Sequence, residues 1–80
     1  MRSKTFARWL LEQRLARSWS RADLASYVQV DASLVYRWET GEVYPRLAQF
    51  ARLMHVLCVE PRKLKAVLRM VQDLERDVAA

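Results

Sequence analysis

The chain has 80 residues, 52% of them hydrophobic, and a formal net charge of +5. That length supports one modest core and a single domain, and the apolar fraction excludes a disordered chain. One glycine and two prolines are too few turn residues for an all-β domain, so several helices joined by short connections are expected. Cys58, alone, leaves neither an internal disulfide nor a cysteine zinc site. It sits in the apolar run Val56-Leu57-Cys58-Val59 and reads as a small buried hydrophobe. No stretch approaches 18 consecutive apolar residues, so nothing spans a membrane. No apolar leader follows the basic start Met1-Arg2-Ser3-Lys4, and the expected location is a reducing cytoplasm. The basic balance suits a polyanionic partner, nucleic acid or an anionic membrane, or simply a solvated surface.

In chain order, the first predicted helix runs from about Lys4 to Arg17. Phe6, Ala7 and Leu10 share one face, with Trp9 and Leu11 beside it, and Thr5 or Ser3 is available as a cap. Ser20 followed three residues later by Asp23 is a capping-box signature, with Trp19 and Leu24 at the spacing of a hydrophobic staple. A second helix therefore spans about Arg21 to Val28, with Leu24, Ala25 and Val28 inward. Asp31 is a good N-cap for a third, about Ala32 to Thr40, again with a staple pair, Val30 and Val35. Gly41 supplies a left-handed residue at its end. Only Gln29 and Val30 separate the second helix from the cap of the third, so the two must cross steeply. That is a helix-turn-helix, over about residues 20–41, which presents its second helix to a DNA major groove.

Glu42 to Pro45 form a loop. Leu47, Phe50, Met54 and Leu57, with Leu53 alongside, give a fourth amphipathic helix, for which Arg46 offers no capping acceptor. Pro61 starts a fifth, to about Val78. Its apolar positions Leu64, Val67, Val71, Leu74 and Val78 step in a short heptad seam. The distal half of that seam has little to pack on within one monomer. Val67, Val71, Leu74 and Val78 are therefore expected at a dimer contact, the alternative being packing on the first helix. His55 has no second ligand at metal spacing and reads as a surface or interface residue. Lys63, Lys65, Arg69 and Arg76 read as the solvated face of the last helix.

Several stretches together resemble the Xre/Cro family of helix-turn-helix domains, the fold of phage repressors and many small bacterial regulators. Ser20-Arg21-Ala22-Asp23-Leu24-Ala25 is similar to the family's S-Q-E-E-L-A. Val35-Tyr36-Arg37-Trp38-Glu39-Thr40-Gly41 is similar to its I-S-R-W-E-R-G, and Pro45-Arg46-Leu47 through Leu57 to its P-S-L with a following apolar helix. The resemblance covers about Leu10 to Leu64. It implies an all-α, five-helix, lambda-repressor-like domain with an extended C-terminal helix. It also implies a buried salt bridge between Arg14 and Glu39 joining the first and third helices. Two departures stand out. Gln29 replaces the glycine usual in the turn and must itself turn left-handed, and Ser18 replaces the glycine usual after the first helix.

At about 100° per residue, Val35 and Trp38 share one face of the third helix, to pack on the second and fourth. Ala32, Ser33, Tyr36 and Arg37 face the groove. Arg37 is the candidate for bidentate base readout, the alternative being a surface or phosphate contact. Ser33 suits several base edges, Ala32 a thymine methyl, and Tyr36 a sugar or phosphate. Arg21 at the start of the second helix is placed for phosphate, and Thr40, Tyr44 and Arg46 lie where family members grip the backbone. Glu42 stands where the family usually has a basic residue, and would repel phosphate.

The expected function is a sequence-specific regulator of transcription, a repressor binding a palindromic double-stranded DNA operator as a homodimer, with RNA polymerase as a further candidate contact. The alternative is a protein-interaction module, antitoxin-like or polymerase-contacting, that keeps the fold with little DNA specificity. Neither a phosphate-binding loop, a metal ligand set nor a nucleophile with a base nearby is evident, so no enzyme, cofactor or metal is expected.

Overall fold

The computed structural model describes residues 5–60 and 62–69. It contains α1 (Thr5–Ala16), α2 (Arg21–Val28), α3 (Ala32–Thr40) and α4 (Leu47–Val56), followed by a helical segment, α5, over residues 62–69. Every regular element among the described residues is a helix, so the fold is all-α. Val71, Leu74 and Val78, expected at a dimer contact, lie outside the described residues.

The helix starts differ in how they are capped. At α2, Ser20 Oγ accepts from the Asp23 N–H at 3.0 Å, and Asp23 Oδ2 accepts from the Ser20 N–H at 2.9 Å. This reciprocal cap contributes about 1 kcal/mol. Asp31 has the extended backbone of an N-cap, φ −74° and ψ 147°, but its carboxylate makes no capping hydrogen bond. The position of α3 rests instead on Val35 and Trp38, both fully buried. At α4 the acceptor is Gln49, whose Oε1 takes the Arg46 N–H at 2.9 Å. That is the half of a capping box that does not need a polar N-cap side chain.

Each of α1 to α4 is followed by a left-handed residue: Ser18 (φ 56°), Gln29 (φ 65°), Gly41 (φ 80°) and Cys58 (φ 53°). In every case the next N–H reaches back five residues. Trp19 donates to Arg14 O at 3.2 Å, Val30 to Ala25 O at 3.0 Å, Glu42 to Arg37 O at 3.0 Å, and Val59 to Met54 O at 3.1 Å. This is the Schellman type of termination, for which glycine is the usual residue. A non-glycine residue held there costs about 1–2 kcal/mol.

At each of the three non-glycine sites an arginine bonds a carbonyl next to the strained residue. Arg14 Nη1 donates to Trp19 O at 2.9 Å. Arg52 Nη1 donates to Val28 O at 3.3 Å and to Gln29 Oε1 at 3.1 Å. Arg17 Nη2 donates to Leu57 O at 2.6 Å.

The core is formed by Phe6, Leu10, Leu24, Ala25, Val28, Val35, Trp38, Phe50, Leu53, Met54, Leu57 and Val67. α3 packs mainly on α1 and α2, and α2 also packs on α4. The expectation that α3 rests on the second and fourth helices is corrected in that respect. Fully burying such side chains stabilises by roughly 1.5–3 kcal/mol each.

Three residues sit elsewhere than the pattern suggested. Leu47 is 79% exposed, at the first residue of α4, where nothing among the described residues covers it. Cys58 is exposed, because its left-handed backbone turns the chain out of the apolar run. Val67, expected at a dimer contact, is only 3% exposed and belongs to the monomer's own core. α5 is thus docked through Val67, while Leu64, one step earlier in the seam, is exposed.

Candidate nucleic-acid interface

The burial of Val35 and Trp38 fixes the rotation of α3. With those two inward, Ala32, Ser33, Tyr36 and Arg37 are all exposed along the opposite side. Arg21, Thr40 and Arg46 are exposed as well, and Tyr44 is part-buried.

Two arginines of this face, Arg21 and Arg37, are held by carboxylates. Arg21 Nε donates to Glu39 Oε1 at 3.3 Å, and its guanidinium lies 4.8 Å from the centroid of the Tyr36 ring. The first residue of α2 is thereby stacked on an exposed aromatic of α3, a cation–π contact worth about 0.5–1 kcal/mol at an exposed site. Arg37 Nε donates to Glu42 Oε2 at 2.7 Å, with both side chains about half exposed, 50% and 53%. Thr40 Oγ1 donates to Arg37 O at 3.1 Å, satisfying a carbonyl at the helix end. Tyr44 packs its ring against Phe6, centroids 6.0 Å apart, which anchors the loop after α3 to α1.

Beneath the face, Arg14 and Glu39 form a two-pronged pair. Nε to Oε2 is 2.6 Å and Nη2 to Oε1 is 3.0 Å, with side chains only 8% and 3% exposed. The hydrogen bond that Arg14 donates to Glu39 holds its guanidinium above its ordinary range, burial opposes that, and the charge of Glu39 adds to it. This pair joins α1 to α3, and its second carboxylate oxygen also receives Arg21. A single buried carboxylate therefore sets the position of both α3 and the arginine at the start of α2.

His55 is exposed and borders a shallow face with Trp19, Tyr27 and Val56. No group of three or more His, Cys, Asp or Glu side chains is placed to hold a metal among the described residues. No helix among them is long and apolar enough to cross a membrane. Two residues of structural weight went unread in the sequence, Arg52 and Arg17. Their partners lie 24 and 40 residues away, and local spacing carries no trace of such contacts.

Helices α2 and α3, joined by the Gln29 turn and presenting an exposed basic and hydroxyl-bearing face, define the helix-turn-helix class of protein. Residues 5–68 match the family model described as a helix-turn-helix domain, and the chain belongs to that family. Among solved structures it is similar to the restriction-modification controller protein C.AhdI from Aeromonas hydrophila. The two share 33% identity and a TM-score of 0.69, over 76% of this chain and 92% of that one. Comparison with curated proteins finds no match. The chain is an Xre-like helix-turn-helix protein.

Proposed function

We propose that this protein is a DNA-binding regulator of transcription: a repressor that reads a palindromic operator as a homodimer. The observation that carries the reading is the division of α3, with Val35 and Trp38 at zero exposure and Ala32, Ser33, Tyr36 and Arg37 all exposed on the other side. A helix locked in rotation by a tryptophan, and carrying an outward arginine in its last turn, suits insertion into a major groove. In this reading Arg37 contacts a base. Ser33, Ala32 and Tyr36 complete the base-facing set, and Arg21, Thr40, Tyr44 and Arg46 meet the backbone. Arg14 and Glu39 hold the frame. The net charge of +5 favours association with DNA of any sequence, on which base contacts then discriminate.

The similarity to a controller protein supports a regulator rather than a structural DNA protein. The apolar sequence positions Val71, Leu74 and Val78, which continue the seam of α5, support pairing of two copies. Two half-sites about one helical turn apart, ~10 base pairs, would then be read together.

The test is fluorescence anisotropy on duplex DNA from upstream of the protein's own gene and on scrambled duplex of equal length, over a salt series. Specific recognition predicts binding to the native duplex that persists at salt where the scrambled duplex has been released. Equal, steeply salt-dependent binding to both would refute the regulator reading.

A further inference from the structure

The contact between Arg37 and Glu42 is of little use to the fold. Both side chains are about half exposed, and pairs of that kind contribute little to stability. Its placement is nevertheless dictated by the backbone. Gly41 turns left-handed at φ 80°, and the Glu42 N–H then bonds Arg37 O at 3.0 Å. The Gly41 N–H bonds Trp38 O at 3.3 Å in the same termination. The chain reversal brings the carboxylate back alongside the arginine whose carbonyl closes the turn.

The atoms used matter. Glu42 Oε2 takes the Nε–H of Arg37 at 2.7 Å, and neither terminal nitrogen of that guanidinium donates among the described residues. A guanidinium meets the paired acceptors of guanine, O6 and N7, either end-on through its two terminal nitrogens or side-on through Nε and one of them. With Nε occupied, only the end-on approach is open. The same carboxylate adds negative charge next to the groove face, which penalises a purely phosphate-directed contact.

Resting on the proposed DNA reading, we infer that Glu42 is a positioning residue for specificity: it clamps Arg37 Nε so that the guanidinium meets guanine end-on, and it suppresses binding to unrelated DNA. A residue that looks unfavourable for a DNA-binding loop thereby becomes part of the discrimination. Specificity is a difference of affinities, and Glu42 acts on both sides of that difference. Arg21 offers a parallel on the same face, since its Nε is likewise held by a carboxylate, Glu39 Oε1 at 3.3 Å.

The experiment begins with selection of preferred duplexes from a randomised pool by the wild-type full chain. Anisotropy then compares wild type, Arg37→Ala, Glu42→Ala and Glu42→Gln on the selected duplex, its single-base replacements and a scrambled duplex. Arg37→Ala identifies the guanine concerned. Glu42→Ala is expected to lower the preference for guanine at that pair by about 5–10-fold, and to tighten binding to scrambled duplex by about 3-fold at low salt. Glu42→Gln, whose amide oxygen still accepts from Nε, is expected to keep the guanine preference while sharing the gain on scrambled DNA. Uniform tightening by Glu42→Ala on every duplex, with the guanine preference intact, overturns the clamp and leaves only a charge effect. Loss of preference at a different base pair overturns it too. A wild-type chain that selects no duplex refutes the DNA reading itself, an outcome visible before any variant is compared.

Discussion

Replacing Glu39 by alanine removes a carboxylate that two arginines share. Arg14 loses the bonds at 2.6 and 3.0 Å and keeps only the carbonyl of Trp19, 2.9 Å away, while remaining 94% buried. Hydrogen bonds to charged groups contribute about 1.5–3 kcal/mol each. An uncompensated buried charge costs about 3–5 kcal/mol in all. Arg21 adds little to that total, because its side chain is 47% exposed. A domain of 80 residues is stable by about 4–12 kcal/mol. Glu39→Ala should therefore remove a quarter or more of the stability and lower Tm by on the order of 15–35 °C. Urea and thermal unfolding, followed by far-ultraviolet circular dichroism, read this directly. The double variant Arg14→Met/Glu39→Leu should recover most of the loss, since an apolar pair leaves no charge behind. A cost for Glu39→Ala below about 1 kcal/mol would refute the reasoning. So would a double variant no more stable than the single.

Arg37→Ala should weaken the preferred duplex by roughly 1–3 kcal/mol and barely change scrambled DNA, whereas Arg21→Ala should weaken both and lower the salt slope by about one. Parallel anisotropy titrations distinguish the two. Ser18→Gly, at an exposed left-handed position, should raise stability by about 0.5–1 kcal/mol, seen as a Tm gain of about 3–6 °C. Val67→Ala should cost about 2 kcal/mol from lost burial and the cavity left behind, and the loss should not depend on protein concentration. A concentration-dependent loss would return Val67 to an interface. Because the Arg14 guanidinium is held above its ordinary range, its contribution is fully present below the unfolded value and is lost only as pH rises through the folded one. Unfolding curves of the wild type and of Arg14→Met/Glu39→Leu, which leaves no buried carboxylate behind, should therefore keep a constant separation from pH 7 to pH 9.

The elements legible in the sequence were those governed by short spacing. Ser20 and Asp23 cap α2 as their separation requires, and Val35 and Trp38 share the inward face of α3. The left-handed Gln29 follows from the resemblance, since it stands in place of the family's turn glycine. Pairing of Arg14 with Glu39 came from resemblance; 25 residues separate them, and no local rule connects them. Arg52 beneath Gln29 and Arg17 beside Leu57 were unreadable for the same reason. Other misses were local. Asp31 has the position and residue type of a cap that its side chain does not make, and Gln49, three residues after Arg46, is a readable half of a capping box. Cys58 was hidden by its apolar neighbours, whose pattern records hydrophobicity and says nothing about the sign of φ. On the groove face, the residue types were visible, but the link between Arg37 and Glu42 depends on a chain reversal that only the folded backbone displays.

The four left-handed terminations, with one glycine among them, separate two properties that could otherwise change only together. Ser18 and Cys58 lie outside α3, and exchanging either for glycine changes none of its side chains. A change of 1 kcal/mol shifts the ratio of folded to unfolded chains about fivefold, and in cells such shifts move protein abundance several-fold through degradation of unfolded chains. On the proposed function, operator occupancy follows the amount of intact protein, so the turns act as a dosage adjustment. The threshold at which a promoter is covered can drift through Ser18 or Cys58 during evolution while the sequence preference written in α3 stays constant.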